Sequence, residues 1–375
     1  MALLRILVLN LGSSSQKSRL YEFADRPAGE AVWEKQIEWD GEIGSHGRAV
    51  AQILEQVPSP ETIDVVGHRV VHGGSRYGDP VRITQTVKAD IARLADYAPL
   101  HNQAALEGIA EVERVLGVVP QVAVFDTAFH RHLPPAAAVY PGPYDWYTAG
   151  IKRFGFHGIN HQYCAARAAE LLGAEQSRRL VVCHLGNGCS LAAIRDGTSV
   201  DTTMGFTPLD GLMMGTRSGS VDPGILTYLL RRSALDAAQL DVVLNTQSGL
   251  LGISGVSGDM RAVLAARQAG HARATLAFDI YIHRLRGGIA SMTASLGGLD
   301  ALVFTAGVGE HAAEVREAAC QGLAHLGVEL VQSKNRGSQA DAEIQSADSR
   351  VRVLIIRAQE DWMIAKACWG LLRDG

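Results

Sequence analysis

Leu4-Arg-Ile-Leu-Val-Leu-Asn-Leu-Gly-Ser-Ser-Ser-Gln-Lys17, followed at once by Leu20-Tyr-Glu-Phe23, is the stretch whose reading decides the fold. Residues 4–9 read as a buried strand, Gly12-Ser-Ser-Ser15 as a turn, and residues 20–23 as a returning strand: a hairpin with a wide small-residue tip. The same grammar recurs half a chain later. Leu180-Val-Val-Cys-His184 runs into Leu185-Gly-Asn-Gly188, then Leu191-Ala-Ala-Ile194 and the turn Arg195-Asp-Gly197. Asn10-Leu-Gly12 and His184-Leu-Gly186 hold matching places, a polar residue closing a strand before Leu-Gly. Two copies so far apart indicate an internally duplicated fold, since a solenoid would repeat at a much shorter period.

Outward from these hairpins, apolar strands alternate with helical patterns, which argues for α/β layers. Gln121–Phe125, Ala301–Thr305 and Val351–Ile356 read as strands; Asn160–Leu172, Ala312–Leu326 and Asp361–Leu372 read as helices. The 375 residues exceed one ordinary core, so two domains are expected. The proline-rich segment from His130 to Tyr147, with Pro134, Pro135, Pro141 and Pro143, marks the boundary. The expected domains are residues 1–130 with the closing helix 362–375, and residues 131–361.

Composition is that of a globular protein, 47% hydrophobic and 20% charged, and a net charge of −4 gives no bulk reason to expect nucleic acid or acidic membranes. Five cysteines without a C-x-x-C pair argue against a disulfide framework and for a reducing compartment. The start of the chain lacks a signal-peptide pattern, and no apolar run reaches the roughly 18 residues of a membrane span. A cytoplasmic location is the expectation.

The glycine clusters carry the first functional signal. Gly12-Ser-Ser-Ser-Gln-Lys17 and Gly186-Asn-Gly188 each follow a buried strand, where a loop without Cβ bulk lets backbone N–H groups converge on an anion. Either alone could be a plain hairpin tip; their recurrence favours phosphate. The first is no Walker A loop, because Lys17 stands where the second glycine belongs. Thr305-Ala-Gly-Val-Gly-Glu-His-Ala312 follows a strand and opens a helix, and formally matches G-x-G-x-x-A with Glu329 downstream. No other segment supplies the rest of a nicotinamide site, and the same geometry serves a nucleotide's adenosine and phosphate.

Charged groups come next. Arg69, in Gly67-His-Arg-Val-Val-His-Gly-Gly74, and Arg217, in Gly215-Thr-Arg-Ser-Gly219, sit in glycine-bounded segments; guanidinium forks suit the oxygens of a transferring phosphoryl group, although an isolated arginine of this kind is ordinarily just solvated. Asp126 follows a buried strand, a position for a magnesium ligand or equally for a helix N-cap. Glu360 and Asp361 follow the last strand, to reach a metal or simply to open the final helix. The pairs His68/His72 and His157/His161 lack the glutamate of a zinc motif; His157, within Phe154-Gly-Phe-His-Gly158, is better placed as a hydrogen-bond donor to a reacting oxygen.

Together these segments resemble the acetate kinase family, within the superfamily of acetate and sugar kinases, actin and the heat-shock chaperones. The resemblance runs from Asn10 to Glu360 and includes Pro99-Leu-His-Asn102, Phe125-Asp-Thr-Ala-Phe-His130, Met204-Gly-Phe-Thr-Pro-Leu209 and Met214-Gly-Thr-Arg217. It implies two duplicated ribonuclease-H-like (actin-like ATPase) domains around a central cleft, and reversible in-line transfer of the ATP γ-phosphoryl group to acetate. Propionate or butyrate kinase is the alternative within the kinases, a non-catalytic nucleotide switch the one outside them. It implies Asn10, Arg69, His157 and Arg217 around the phosphoryl group, with Asp126, Asn10 and Glu360 placing Mg²⁺, Mn²⁺ being its substitute. ATP or ADP would meet Lys17, His184, Leu185, Gly186, Asn187 and Gly188, and further on Gly307, Val308, Gly309, Glu310 and His311. Asp259, Met260 and Arg261 would flank the adenosine, and His101 would lie near the active site. The acetate pocket would be Arg69 with Val71, Leu100, Phe156 and Pro208; alternation on a strand would aim Val71 to the same side as Arg69. A homodimer is implied, with neither nucleic acid nor membrane as partner. The chain departs from the family pattern at Met260, at His311 and at Ala358-Gln359, all on the nucleotide and metal side.

Overall fold

The computed structural model describes residues 3–373 apart from 13, 14, 28, 39–44, 97, 98, 233 and 234. Its described residues form two six-stranded sheets of the same design. In the first, β1 (Leu4–Leu11), β2 (Ser15–Phe23) and β3 (Trp33–Glu38) make an antiparallel meander, and β4 (Val65–Val70), β5 (Val81–Arg82) and β6 (Gln121–Phe125) complete the order β3-β2-β1-β4-β6-β5. β1, β4 and β6 are parallel neighbours. In the second, β7 (Arg179–Leu185), β8 (Cys189–Arg195) and β9 (Thr198–Thr202) repeat the meander, and β10 (Ala301–Thr305), β11 (Ala342–Glu343) and β12 (Arg352–Ile355) give the order β11-β12-β10-β7-β8-β9. Each strand of one sheet has a counterpart in the other, including the antiparallel strand beyond the last parallel one. The duplication is therefore real. Register places Asn10 opposite Lys17 and His184 opposite Ser190, each residue one step before its hairpin tip.

Burial follows the pleat. Ile6 and Val8 face one side of β1 and pack with Tyr21, Phe23 and Val122 against Ile364, Ala365 and Cys368 of the closing helix Glu360–Arg373. Leu7 and Leu9 face the other side, with Val50, Ile53, Leu54 and Val112. Covering on both faces is what parallel strands require. Gly67 on β4 makes the close approach of that helix possible: a Cβ there would lie 2.7 Å from both Cys368 Sγ and Ile364 Cγ2.

Two compact units hold the sheets. Met1–Arg131, Phe156–Tyr163 and Gln359–Gly375 form the first, His132–Gly155 and Cys164–Ala358 the second. Relative to the expected boundaries, residues 131, 156–163 and 359–361 cluster with the first unit. A helix expectation is corrected in the second unit. The helix read over residues 312–326 is the shorter helix Ala313–Gln321 followed by a 3₁₀ turn at Ala324–Leu326, and a separate helix, Ala306–His311, precedes it where a loop was expected. The break falls at Ala312, whose φ of −96° and ψ of 86° leave the helical region.

Candidate active site

In the first unit the candidate side chains gather at the carboxyl ends of the parallel strands. β4 and β6 pair so that Arg69 stands opposite Val124, one residue before β6 closes and Asp126 follows. Arg69 Nε donates to Asp126 Oδ2 at 3.0 Å, and Nη2 donates to the same oxygen. Asp126 is fully buried, and its Oδ1 has no hydrogen-bond partner among the described residues. Burial pushes its pKa up, and Arg69 opposes this. Burial acts to lower the Arg69 pKa, but the Asp126 and Glu360 carboxylates outweigh it and hold the guanidinium charged. The N-cap reading of Asp126 is thereby replaced: the residue preceding the 3₁₀ turn Ala128–His130 is Thr127, and the Asp126 carboxylate pairs with arginine.

Asn10, 5% exposed at the end of β1, reaches the first turn of the closing helix. Its Nδ2 donates to Glu360 Oε2 at 3.2 Å and to Asp361 Oδ1 at 2.5 Å. Asp361, noticed in the sequence only as a neighbour of Glu360, is the more buried of the two; Arg19 Nη1 lies 3.4 Å from its other oxygen. Burial pushes the Asp361 pKa up against the pull of Arg19 and Asn10. Both donors of Asn10 point to carboxylates, so its amide orientation is fixed by the network.

His157 has φ of 57°, the left-handed region, which a side-chain-bearing residue enters at a cost of order 1–2 kcal/mol. The next residue explains how it is held. Gly158 N–H donates to Asp126 O at 2.8 Å, and a Cβ on Gly158 would lie 2.2 Å from that oxygen. His157 is thus fixed one residue from a direct backbone bond to Asp126. Phe156 is buried with its ring 5.6 Å from that of His72, and its carbonyl accepts from His130 Nε2 at 3.1 Å. Val71 is 4% exposed, but β4 ends at Val70, so strand alternation does not fix its direction as expected. The segment is held instead by Asn102, whose Oδ1 accepts from His72 N and whose Nδ2 donates to His72 O, both at 3.1 Å. In the sequence Asn102 stands out only as part of a motif, because a buried asparagine that bonds the N–H and C=O of one distant residue leaves no local signal. His101 lies beside it on the helix Pro99–Leu116. Ser13, Ser14 and the Leu100 side chain lie outside the described residues, and Lys17 is exposed on β2.

In the second unit four expected segments come together. Gly186 N–H donates to Gly188 O at 3.0 Å, closing the β7–β8 tip beyond His184 and Leu185, and Gly215 N–H donates to Asn187 O at 3.0 Å. Arg217, two residues on, donates from Nη1 to Pro208 O at 3.1 Å. A Cβ on Gly258 would lie 3.0 Å from Gly215 O, bringing Asp259 to the same loop. A Cβ on Gly186 would sit 3.8 Å from Ala306 Cβ, which joins the helix Ala306–His311, with Gly307, Val308, Gly309, Glu310 and His311, to the group. Ala306 has φ of 64°, a second left-handed non-glycine at a candidate site. Glu310 Oε1 accepts from Ala358 N at 2.9 Å. Asp259 caps the helix Met260–Gln268 by accepting from Arg261 N at 2.8 Å, while the Arg261 side chain is 91% exposed and Met260 is buried. A helix of six residues ended by Ala312, in a sheet flanked by antiparallel strands, is not the long βαβ helix of a nicotinamide site.

No helix among the described residues is long and apolar enough to cross a membrane. The family model of the acetokinase family matches residues 5–366. An acetate kinase from Trichormus variabilis is 53% identical over 408 residues, covering 98% of this chain and 100% of its own. Among solved structures, an acetate kinase from Porphyromonas gingivalis superposes with a TM-score of 0.87 at 38% identity, covering 98% of this chain and 100% of its own. A propionate kinase from Francisella tularensis gives 0.86 at 38% identity, over 97% and 98%. With the duplicated sheet order, the Arg69–Asp126 pair and the converging glycine loops already in place, these matches over nearly the full length establish that the chain belongs to the acetokinase family.

Proposed function

We propose that this protein is an acetate kinase, transferring the γ-phosphoryl group of ATP to acetate to give acetyl phosphate and ADP, and running the reverse in the same site. The observation that carries the reading is the buried Arg69–Asp126 pair in one electrostatic group with Glu360, held by Asn10, in a chain of this family. Acetate is ionised and nucleophilic at neutral pH, so no strong general base is needed, and positioning with charge neutralisation does the work. Arg69 and Arg217 offer planar donors to the transferring oxygens. His157 adds a hydrogen bond to a reacting oxygen from a backbone position held by packing and by the Gly158 N–H bond to Asp126 O. Val71, Phe156, Leu100 and Pro208 receive the methyl group.

The donor set fits a magnesium ion. Hard carboxylate and amide oxygens are its preferred ligands, and Asp126 Oδ1 is a buried acceptor without a hydrogen bond. Asp126, Glu360 and the Asn10 carbonyl oxygen would hold it, directly or through water. The ion supplies neutralisation of phosphate charge; the protein residues set which oxygens face it. His184 and the Leu185–Gly188 tip take the phosphates, with Gly307–His311 and Asp259–Arg261 toward the adenosine and Lys17 at the first hairpin. We place the protein in the cytoplasm as a homodimer. The helix Pro223–Arg232 buries none of its residues and exposes Ile225, Tyr228 and Leu230, which is the kind of surface a second copy would cover.

Purified protein given Mg-ATP, acetate and hydroxylamine should yield acetohydroxamate, with no product when acetate, ATP or the divalent cation is omitted. ATP hydrolysis indifferent to acetate would refute the assignment. A higher kcat/KM for propionate would move it to the chemistry named for the Francisella relative.

A further inference from the structure

Arg316 stands on the helix Ala313–Gln321, only 2% exposed. Its Nη1 donates to Gly309 O at 2.9 Å and to Glu310 O at 2.8 Å. Its Nε donates to Asn335 Oδ1 at 2.8 Å and its Nη2 to Asn335 O at 2.6 Å. Asn335 is fully buried and passes its Nδ2 to Ala313 O at 2.9 Å. Glu314 acts on the guanidinium electrostatically, but no ion pair among the described residues includes Arg316. A buried guanidinium without a carboxylate in contact is expensive, and here the groups that touch it are neutral carbonyl and amide oxygens. Two of those carbonyls belong to the last turn of Ala306–His311, which a helix end leaves without partners.

We propose that Arg316 is a positioning residue for nucleotide binding: by fixing the carbonyls of Gly309 and Glu310 it sets the Gly307–His311 backbone that the nucleotide approaches, and its charge, with no carboxylate in contact, favours an anionic ligand there. This rests on the reading of that segment as part of the nucleotide site. The bonds also explain why the helix breaks at Ala312. Carbonyls claimed by Arg316 hold the chain in a bend that a continuous helix would straighten. Ala306 at the other end sits in the left-handed region, so the segment is a short helix pinned at both ends. Lysine cannot replace the clamp, because a single ammonium with three donors on a flexible stem does not span four acceptors set by a planar fork.

The test is the affinity for ADP, measured by calorimetry on the whole protein, together with separate KM values for ATP and acetate and the melting temperature. Arg316→Lys should weaken ADP binding about tenfold and raise KM for ATP similarly, with KM for acetate within about twofold of wild type. A scaffold-only role would lower the melting temperature and leave the two KM values in their original ratio; that result, or unchanged ADP affinity, overturns the proposal. Should Arg316→Lys not fold, Asn335→Asp carries the test. It keeps the acceptor oxygen but adds a neutralising charge, and should also weaken ADP by about threefold or more; unchanged affinity there overturns the proposal equally. Gly307→Ala separates the two levels. If it weakens ADP while the Arg316 variant does not, only the role of Arg316 fails. If neither changes ADP affinity, the nucleotide reading of Gly307–His311 fails with it.

Discussion

Gly307→Ala should make the protein more stable and a worse nucleotide binder. Gly307 sits in the helix Ala306–His311, outside the left-handed region, and a Cβ built on it meets no atom within 4 Å. Neither backbone conformation nor packing therefore requires glycine there, and glycine within a helix costs about 0.5–1 kcal/mol relative to alanine. The substitution should raise the melting temperature by about 1–3 °C for a unit of this size. If the open space is where nucleotide approaches the backbone, the added methyl overpacks that contact, at about 1–3 kcal/mol, or roughly five- to a hundredfold in ADP affinity. Gly309→Ala is the contrast, since its Cβ would lie 3.3 Å from the Phe304 carbonyl carbon and should destabilise the fold itself. Scanning calorimetry and ADP titration on both variants decide the matter. A higher melting temperature with unchanged ADP affinity would refute ligand approach at Gly307, and a lower one would refute the reading of the space as open.

Arg69→Ala should lower kcat by about 10²-fold or more and also destabilise the first unit by about 3–5 kcal/mol, because Asp126 would be left buried without its partner; stopped assays and urea unfolding measure the two separately. Arg217→Ala should match the kcat loss without that stability loss, and Arg217→Lys should recover little; retained kcat with a raised KM for acetate would make either arginine a tether only. Val71→Ala should raise the propionate-to-acetate ratio of kcat/KM by about 1 kcal/mol, roughly fivefold, and an unchanged ratio would remove Val71 from the pocket. Acid should weaken the fold through His46, His68 and His130, which burial holds near a pKa of about 4. The unfolded chain takes up these protons near pH 6.5 and the folded protein does not, so stability is complete above that value and falls as pH drops toward 4, by about 2 kcal/mol per histidine at pH 5. Asp126 and Asp361, with raised pKa values, act in the opposite sense, and urea midpoints that stay flat from pH 7 to 5 would contradict the histidine account.

The hairpins were legible because both carry their information locally: apolar runs, a glycine tip, and a polar residue at the same step of each strand. Duplication followed from comparing Asn10-Leu-Gly12 with His184-Leu-Gly186, and the identical strand orders bear it out. Arg69 and Asp126 could each be singled out, but their bond depends on the parallel register of β4 and β6 across 57 residues, which no local pattern encodes. The short helix before Ala312 was missed for a related reason. The glycines of residues 305–312 read as a loop, and the helix Ala306–His311 is held by Arg316, acting with Asn335 from further along the chain. Val71 shows the limit of periodicity, which stops informing where the strand stops.

The closing helix Glu360–Arg373 completes the core of the first unit around β1, although it is the last element of the chain. Synthesis proceeds from the amino end, so the residues of the second unit, ending at Ala358, have all been made before Ile364, Ala365 and Cys368 can reach Gly67. The earlier-encoded unit thus waits with an uncovered sheet face until the segment that follows the second unit has been made. Asn10 meets Glu360 and Asp361 only at the end of that wait, so the carboxylates that accept from it arrive long after β1 has been made.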